Sequence, residues 1–338
     1  MIGRRLLAAL SVCALAAACG RDLGQDGAGD SGAIRFAVLS TQSTQSMSHR
    51  WTPVINDMQV STGLKVKPFF AANSASLVEA MRNKKTDVGW FSNRSGLEAV
   101  RRAGGEVFAR TTEPTGVEGD HVDLIVNAKS KLTLDRVLKC DKTLTFGMGE
   151  AQSASGALAP ETYLFAPRGV RPSQCFKQVR RASHQTNLFA VAAGELDVAT
   201  VPTTALRLNR QGGRREADEV REIWRSPVLP EDPIIWRKDL DPAVKEKLRQ
   251  FFLTYGQGDA PLAAAQRAKL AAINIGGFKA ADDTHLLPVR EMEATRAWLD
   301  AQAGGDKARI EAAKRALDQI TAQRQDLEAR TRTPAAAQ

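Results

Sequence analysis

"KTLTFGMGEAQSASGALAPETYLF", residues 142–165, decides how the chain is to be read. It begins with apolar residues and threonines, passes through glycines and small hydroxyl residues, and enters an Ala/Leu-rich run. That is a strand, a turn and a helix in succession. Ser153, Ala154, Ser155 and Gly156 stand where the helix begins. A serine there caps the helix by accepting from one of its first N–H groups. The same place suits an anion, because free N–H groups and the positive end of the helix dipole face outward. The motif alone leaves both readings open.

Strand and helix alternate on either side of it. "AIRFAVLS" (33–40), "LKVKPFF" (64–70), "DVGWFSN" (87–93) and "EVFART" (106–111) read as strands, with helical spacing in "HRWTPVINDMQVSTG", "SASLVEAMRNKKT" and "SGLEAVRRAGG" between them. "HVDLIVNAKS" (121–130) and "LDVATV" (196–201) continue the pattern, and "VREIWRSPVLPEDPIIWRKDL" (220–240) is a strand interrupted by Pro227, Pro230 and Pro233. In "PAVKEKLRQFFLTYG", Pro242 suits the first turn of a helix. Such alternation predicts an α/β fold, here in two lobes joined by crossovers at "HVDLIVN" and "VLPEDPIIW". Lobe 1 takes residues 33–122 and 236–290, lobe 2 takes 123–235, and a helical extension fills 291–338. The extension places Ile310, Ala313, Leu317, Ile320 and Leu327 on one seam, interrupted by Arg324. That seam packs on its own lobe or joins two chains as a homodimer.

The N-terminus reads as an export leader over residues 1–19. Arg4 and Arg5 precede an apolar run from Leu6 to Ala18 that is too short for the ~20 residues of a membrane span. The run ends at Cys19 in a pattern like a bacterial lipobox, although Ala16 replaces the usual Leu. Cys19 is then the lipid anchor, with ordinary leader cleavage as the alternative, and Gly20 after it favours the inner leaflet of the outer membrane. Residues 20–32 form a Gly/Asp-rich tether. Cys140 and Cys175 remain, an even pair in an oxidising compartment, either disulfide-bonded or two separate buried thiols.

The 338 residues are 43% hydrophobic and 25% charged, as in a soluble globular protein. A formal charge of +9 is scattered, with no basic run interleaved with aromatics, so nucleic acid is a poor partner. There is no His/Cys cluster at metal spacing, and no metal or other cofactor is expected. An enzyme is disfavoured by the lack of a GxSxG elbow, and "GMG" is too little for a dinucleotide site. Trp51, Trp90, Trp224 and Trp236 read as core.

Four segments then carry a resemblance: "FFAANSASLVEAMRNKKTDVGWFSN", "LTFGMGEAQSASGALAP", "SHQTNLFAVAAGELDVAT" and "SPVLPEDPIIWRKDL". Together, in this order, they resemble the phosphonate-binding proteins of bacterial ABC importers, over residues 33–290. The resemblance implies a type II periplasmic binding fold, a phosphorus oxyanion as ligand and an inner-membrane ABC permease as partner. It places the anion on Ser153, Ala154, Ser155 and Gly156, where the family's Ser-Thr-Ser-Gly has lost its middle hydroxyl, and adds His184 and Asp232. Ser74, Asp120 and Thr204 stand where aminophosphonate binders carry two aromatics and a carboxylate. Those departures imply a ligand without an amine, such as phosphate, phosphite or a small alkylphosphonate. A periplasmic sensor with an altered pocket is the alternative, and a hydrolase a more distant one.

Overall fold

In β1 (Ile34–Leu39) the side chains alternate between two cores: Phe36 and Val38 enter one, Ala37 and Leu39 the other. A strand buried on both faces needs a layer of helices on each side. The computed structural model describes residues 32–40, 43–114, 119–151 and 153–332. The leader, Cys19 and nearly all of the tether lie outside the described residues.

β1 leads to α1 (Thr44–Thr62), β2 (Val66–Ala71) to α2 (Ser74–Arg82), and β3 (Val88–Trp90) to α3 (Asn93–Arg102). β4 (Gly105–Thr112) ends the first block. The second block runs through β5 (Val122–Asn127), α4 (Leu134–Val137) and β6 (Thr145–Met148) to a helix wound in π turns, Ala154–Leu158 and Glu161–Phe165. It continues with α5 (Pro172–Cys175), β7 (Gln178–Arg181), α6 (His184–Ala192), β8 (Val198–Pro202), α7 (Thr203–Gln211) and β9 (Val220–Arg225). The chain returns through β10 (Pro233–Arg237), α8 (Pro242–Thr254), α9 (Pro261–Ala272) and β11 (Gly277–Ala280), and closes with α10 (Leu287–Gly304) and α11 (Lys307–Arg332).

The first sheet has the order β11-β4-β10-β3-β1-β2 and the second β7-β6-β8-β5-β9. Within each, the βα units pair in parallel, while β10 and β5, which follow the crossovers, pair antiparallel to both neighbours. One face of the first sheet packs against α1, α8 and α9, the other against α2, α3 and α10. β5 repeats the alternation in the second sheet, with Leu124 and Val126 in one core and Ile125 in the other.

The second crossover lies earlier than the sequence suggests. Residues 233–235, assigned above to lobe 2, belong to β10 in the first sheet. Pro227 and Pro230 keep their segment out of the ladders, whereas Pro233 is tolerated as the first residue of its strand. The two crossovers run side by side: Asp120 N–H donates to Leu229 O at 2.9 Å, and Leu229 N–H to Asp120 O at 2.7 Å. Gly119 has φ +105°, and a Cβ there would fall 2.2 Å from Leu229 O, so this approach requires glycine.

Cys140 and Cys175 are disulfide-bonded. α10 ties the halves together. Its Glu293 pairs with Arg94 and Arg101 of α3, while Arg296 and Asp300 pair with Glu161 and Arg171 of the second block. α11 packs on α10 through Arg324 and Thr321, which both donate to Glu291. The five seam residues of α11 are half-buried while most of its other positions are exposed. Among the described residues no helix is long and apolar enough to cross a membrane.

Candidate ligand-binding site

A cavity between the two blocks is lined by the start of five helices: Ser74 of α2, Ser92 and Asn93 of α3, Ser153 to Ser155, Ser183 and His184 of α6, and Thr204 of α7. The caps explain the sequence pattern. Asn73, Ser92, Ser153 and Ser183 each accept, through the side chain, the N–H of the residue three further on. That satisfies the third turn donor and leaves the first two without a partner inside the helix. In the π-wound helix Leu158 N–H reaches back five residues to Ser153 O at 3.2 Å. Such wide turns recur at functional sites.

Three of these helix starts already face a carboxylate of the chain itself. Ser74 N–H donates to Glu150 at 3.1 Å, Asn93 N–H to Asp232 at 3.2 Å, and Thr204 N–H to Asp120 at 3.3 Å. Among the described residues the other two, at Ser153 and Ser183, face none. Both lie in the second lobe, with the N–H groups of Ala154 and Ser155 on one and the His184 ring on the other. Ser153 Oγ is the cap, holding the Gly156 N–H, and the N–H groups of Ala154 and Ser155 between them have no partner within the helix.

The sequence placed Gly156 among the anion's contacts. The structure corrects this: its N–H is taken by Ser153 Oγ at 2.9 Å, and it is not in the cavity wall. Its place is set by close approach. Gly149 N–H donates to Gly156 O at 2.8 Å, and a Cβ on Gly156 would fall 2.6 Å from Gly149 Cα and 2.9 Å from His184 Cε1. The remaining candidates, Ser74, Asp120, Ser153, Ala154, Ser155, His184, Thr204 and Asp232, all line the cavity. Seven of them form two groups, and Ser74 stands apart with its N–H on Glu150. Residues 153–155 and His184 make a donor side. Asp120, Thr204 and Asp232 belong to an acidic side with Glu113 and Glu231, which the sequence reading missed. The signal for these two was a carboxylate beside proline in each crossover, "TTEP" and "LPED".

Burial shapes the electrostatics. It pushes His184 down to about 4, so at neutral pH the imidazole is uncharged and offers one N–H. On the acidic side burial acts the other way. Asp232 lies well above the usual carboxylate range, with repulsion from Glu231 and Asp120 adding to desolvation. Glu231 is raised to about 7 by burial, helped by Glu113 and Asp120. Asp120 is raised by burial against hydrogen bonds from Thr203, Thr204 and His121, and Glu113 by burial against its ion pair with Arg207. Thr204 Oγ1 donates to both Asp120 and Glu113.

The wall is rich in unsatisfied polar atoms. Ser40 Oγ, Trp90 Nε1, Asn93 Oδ1, His184 Nδ1, Glu231 Oε1 and Asn274 Nδ2 are all buried without a hydrogen-bond partner. Each such group costs about 1–3 kcal/mol unless something bonds to it, so their concentration in one cleft marks a site for a polar ligand. Trp51 and Trp90 were expected to be core only. They pack on each other at 5.5 Å in the core, and they also form the apolar wall of this cavity. No group of three or more His, Cys, Asp or Glu side chains among the described residues is arranged to hold a metal.

Two α/β lobes, paired crossovers and a polar cleft between them define a periplasmic substrate-binding protein. The sequence profile described as ABC transporter, phosphonate, periplasmic substrate-binding protein matches residues 36–286, and the chain belongs to that family. It is 39% identical over 261 residues to the phosphonates-binding periplasmic protein of Escherichia coli strain K12, covering 77% of this chain and 75% of that one. The binding-protein component of an ABC phosphonate transporter from Pseudomonas aeruginosa superposes with a TM-score of 0.83 at 36% identity, over 88% of this chain and all of that chain. A Prochlorococcus marinus protein solved with methylphosphonate shares the fold at TM-score 0.68 and 18% identity, over 77% of this chain and 97% of its own.

Proposed function

We propose that the protein is the substrate-binding component of an ABC importer and captures a phosphonate or related phosphorus oxyanion between its lobes. The observation that carries this is the pair of helix starts at Ser153 and Ser183, which keep their donors while the other three face carboxylates of the chain. The anion accepts from the N–H groups of Ala154 and Ser155, from the Ser155 hydroxyl and from neutral His184. Backbone dipoles supply positive charge there. Asn274, Ser40 and Trp90 come from the other lobe, so the ligand reaches them only when the cleft is shut. Binding therefore shifts the population toward the closed shape that a membrane permease recognises. No bond of the ligand is made or broken, and no cofactor takes part. In this reading Cys19 carries the lipid that keeps the protein at a membrane of the periplasm.

The test is a thermal-shift screen of the mature chain with methylphosphonate, phosphite, phosphate, 2-aminoethylphosphonate and sulfate. A ligand at a hundred times its Kd stabilises by about 2.7 kcal/mol. For a chain of this size that is a rise of about 4 °C, at about 2.1 cal/mol/K of unfolding entropy per residue. A rise with a phosphorus oxyanion and not with sulfate supports the proposal. No rise with any of them, or an equal one with sulfate, refutes it.

A further inference from the structure

Asn274 stands in the short loop between α9 and β11 with its backbone in the left-handed region, at φ +57°. Glycine and asparagine tolerate that region best, and of the two only asparagine brings an amide. Asn274 is 4% exposed and lines the cavity between Ile273 and Ile275. Its loop is held firmly in lobe 1. Asn274 N–H donates to Ala271 O at 2.9 Å, and Gly276 N–H donates to Thr112 O at 2.6 Å, beside Glu113. A Cβ on Gly276 would fall 2.4 Å from Glu113 O, so the loop and the Glu113 segment lie backbone against backbone.

The two ends of the Asn274 amide differ. Arg207 of α7, in lobe 2, reaches over and donates from Nε to Asn274 Oδ1 at 2.7 Å, while another branch of its guanidinium pairs with Glu113. A guanidinium has donors and no acceptor. It therefore meets the amide at its oxygen and excludes the flipped arrangement, in which two donors would face each other. Nδ2 is left on the other branch. Among the described residues it is buried without an acceptor, although five carboxylates stand in the same cavity wall. A buried donor without an acceptor is costly. Arg207 itself is not in the wall, so it acts on a ligand only through Asn274.

We infer that Asn274 Nδ2 donates from lobe 1 to an oxygen of the bound phosphorus oxyanion, and that Arg207 is the positioning residue that turns the amide for it. The inference rests on the phosphonate reading above. Because Arg207 belongs to lobe 2, the amide is oriented only when the cleft shuts. In the open cleft it turns freely and offers its oxygen, which repels an anion, as readily as its nitrogen. Closure thus assembles the donor. Shutting the cleft empty leaves Nδ2 unpaired, and an oxyanion oxygen removes that cost.

The experiment is calorimetric titration of the mature chain with methylphosphonate, in a double-mutant cycle. Asn274→Gly keeps the backbone conformation, removes the amide and is expected to weaken binding about tenfold or more. Arg207→Met, which loses the donors, is expected to weaken it about tenfold, and Arg207→Lys, again a donor without an acceptor, to stay within about threefold of the parent. In the Asn274→Gly background the loss on Arg207→Met is expected to shrink to about twofold. Losses that multiply in the double variant overturn the positioning role, since a merely structural arginine acts alike in both backgrounds. Asn274→Asp keeps an oxygen for Arg207 and sets a second oxygen where the donor stood, so it is expected to weaken binding at least about a hundredfold. Melts without ligand verify that each variant folds, and Arg207→Gln, whose amide offers donor and acceptor alike, replaces an unfolded Arg207→Met. Binding within about twofold of the parent by folded Asn274→Gly or Asn274→Asp overturns the inference and leaves the phosphonate reading standing. Failure of the parent to bind methylphosphonate, phosphite or phosphate overturns the two together.

Discussion

Gly156→Ala puts one methyl group between the Gly149 backbone and the His184 ring, behind the proposed anion seat. Its Cβ would sit 2.6 Å from Gly149 Cα, 2.9 Å from His184 Cε1 and 3.1 Å from Gly149 N. Ordinary carbon contacts lie at about 3.5–4.0 Å, so the two backbones have to separate by about 1 Å. Neither Gly149 Cα nor Gly156 Cα is the end of a flexible side chain, and the strain falls on the bond between Gly149 N–H and Gly156 O, now 2.8 Å. Overpacking of this kind costs about 1–3 kcal/mol, which lowers the melting temperature by about 2–5 °C at about 2.1 cal/mol/K per residue. The binding loss is expected to be larger. Ala154 and Ser155 ride on the displaced turn, and a hydrogen bond to a charged group contributes about 1.5–3 kcal/mol. Weakening one of them reduces methylphosphonate affinity by about ten- to a hundredfold. Scanning fluorimetry and calorimetric titration read the two effects. Gly304→Ala is the control, since a Cβ there meets nothing within 4 Å and φ is not positive. Its expected effect is neutral, or stabilising by up to about 1 kcal/mol. A Gly156→Ala protein that melts within about 1 °C of the parent and binds within about twofold of it would refute the close-approach argument.

The disulfide closes a loop with a sequence separation of 35. The chain-entropy relation gives it about 4 kcal/mol, so Cys140→Ser/Cys175→Ser is expected to melt about 5–7 °C lower, and an unchanged melt would deny it a stabilising role. The acidic side makes stability depend on pH with a definite sign. Glu231 is raised in the fold to about 7, so its contribution is complete below the ordinary Glu range and is lost as pH rises through about 7. Without ligand, the melting temperature should fall between pH 5 and pH 8, and Glu231→Gln should flatten that slope; a slope unchanged in the variant would contradict the assignment. His184 acts in the opposite sense. It is depressed to about 4, so stability is present above its ordinary value and lost as pH falls through 4. Integrated over that interval the loss is about 3 kcal/mol, and His184→Gln should be less sensitive between pH 6 and pH 4; equal sensitivity would show another group to be responsible.

The layers were legible because β1 and β5 are apolar on both faces and the helices between strands carry clear caps and glycine stops. The hydroxyl residues at the helix starts were legible for the same local reason. What the sequence could not distinguish was which helix starts the chain fills with its own carboxylates. Glu150 reaches Ser74 across 76 residues of sequence and Asp232 reaches Asn93 across 139, and no local pattern contains such a pairing. Gly156 was misread for a related reason. A glycine at a helix start looks like a donor for a ligand, and only the approach of Gly149 reveals that it is there for space. Trp51 and Trp90 were read as core from hydrophobicity alone, which says nothing of a side chain that is buried and also borders a cleft.

The contact between Glu150 and Ser74 crosses the cleft and uses no atom of a ligand. It therefore favours the shut conformation whether the cleft is full or empty. In a transport cycle that has two opposed consequences. A more populated shut form lessens the conformational work left to the ligand and so tightens its apparent affinity. The same population presents the permease with empty proteins in the shape of loaded ones, and each such encounter risks ATP hydrolysis without cargo. The strength of this one link sets a compromise between scavenging at low concentration and fidelity of the signal to the membrane.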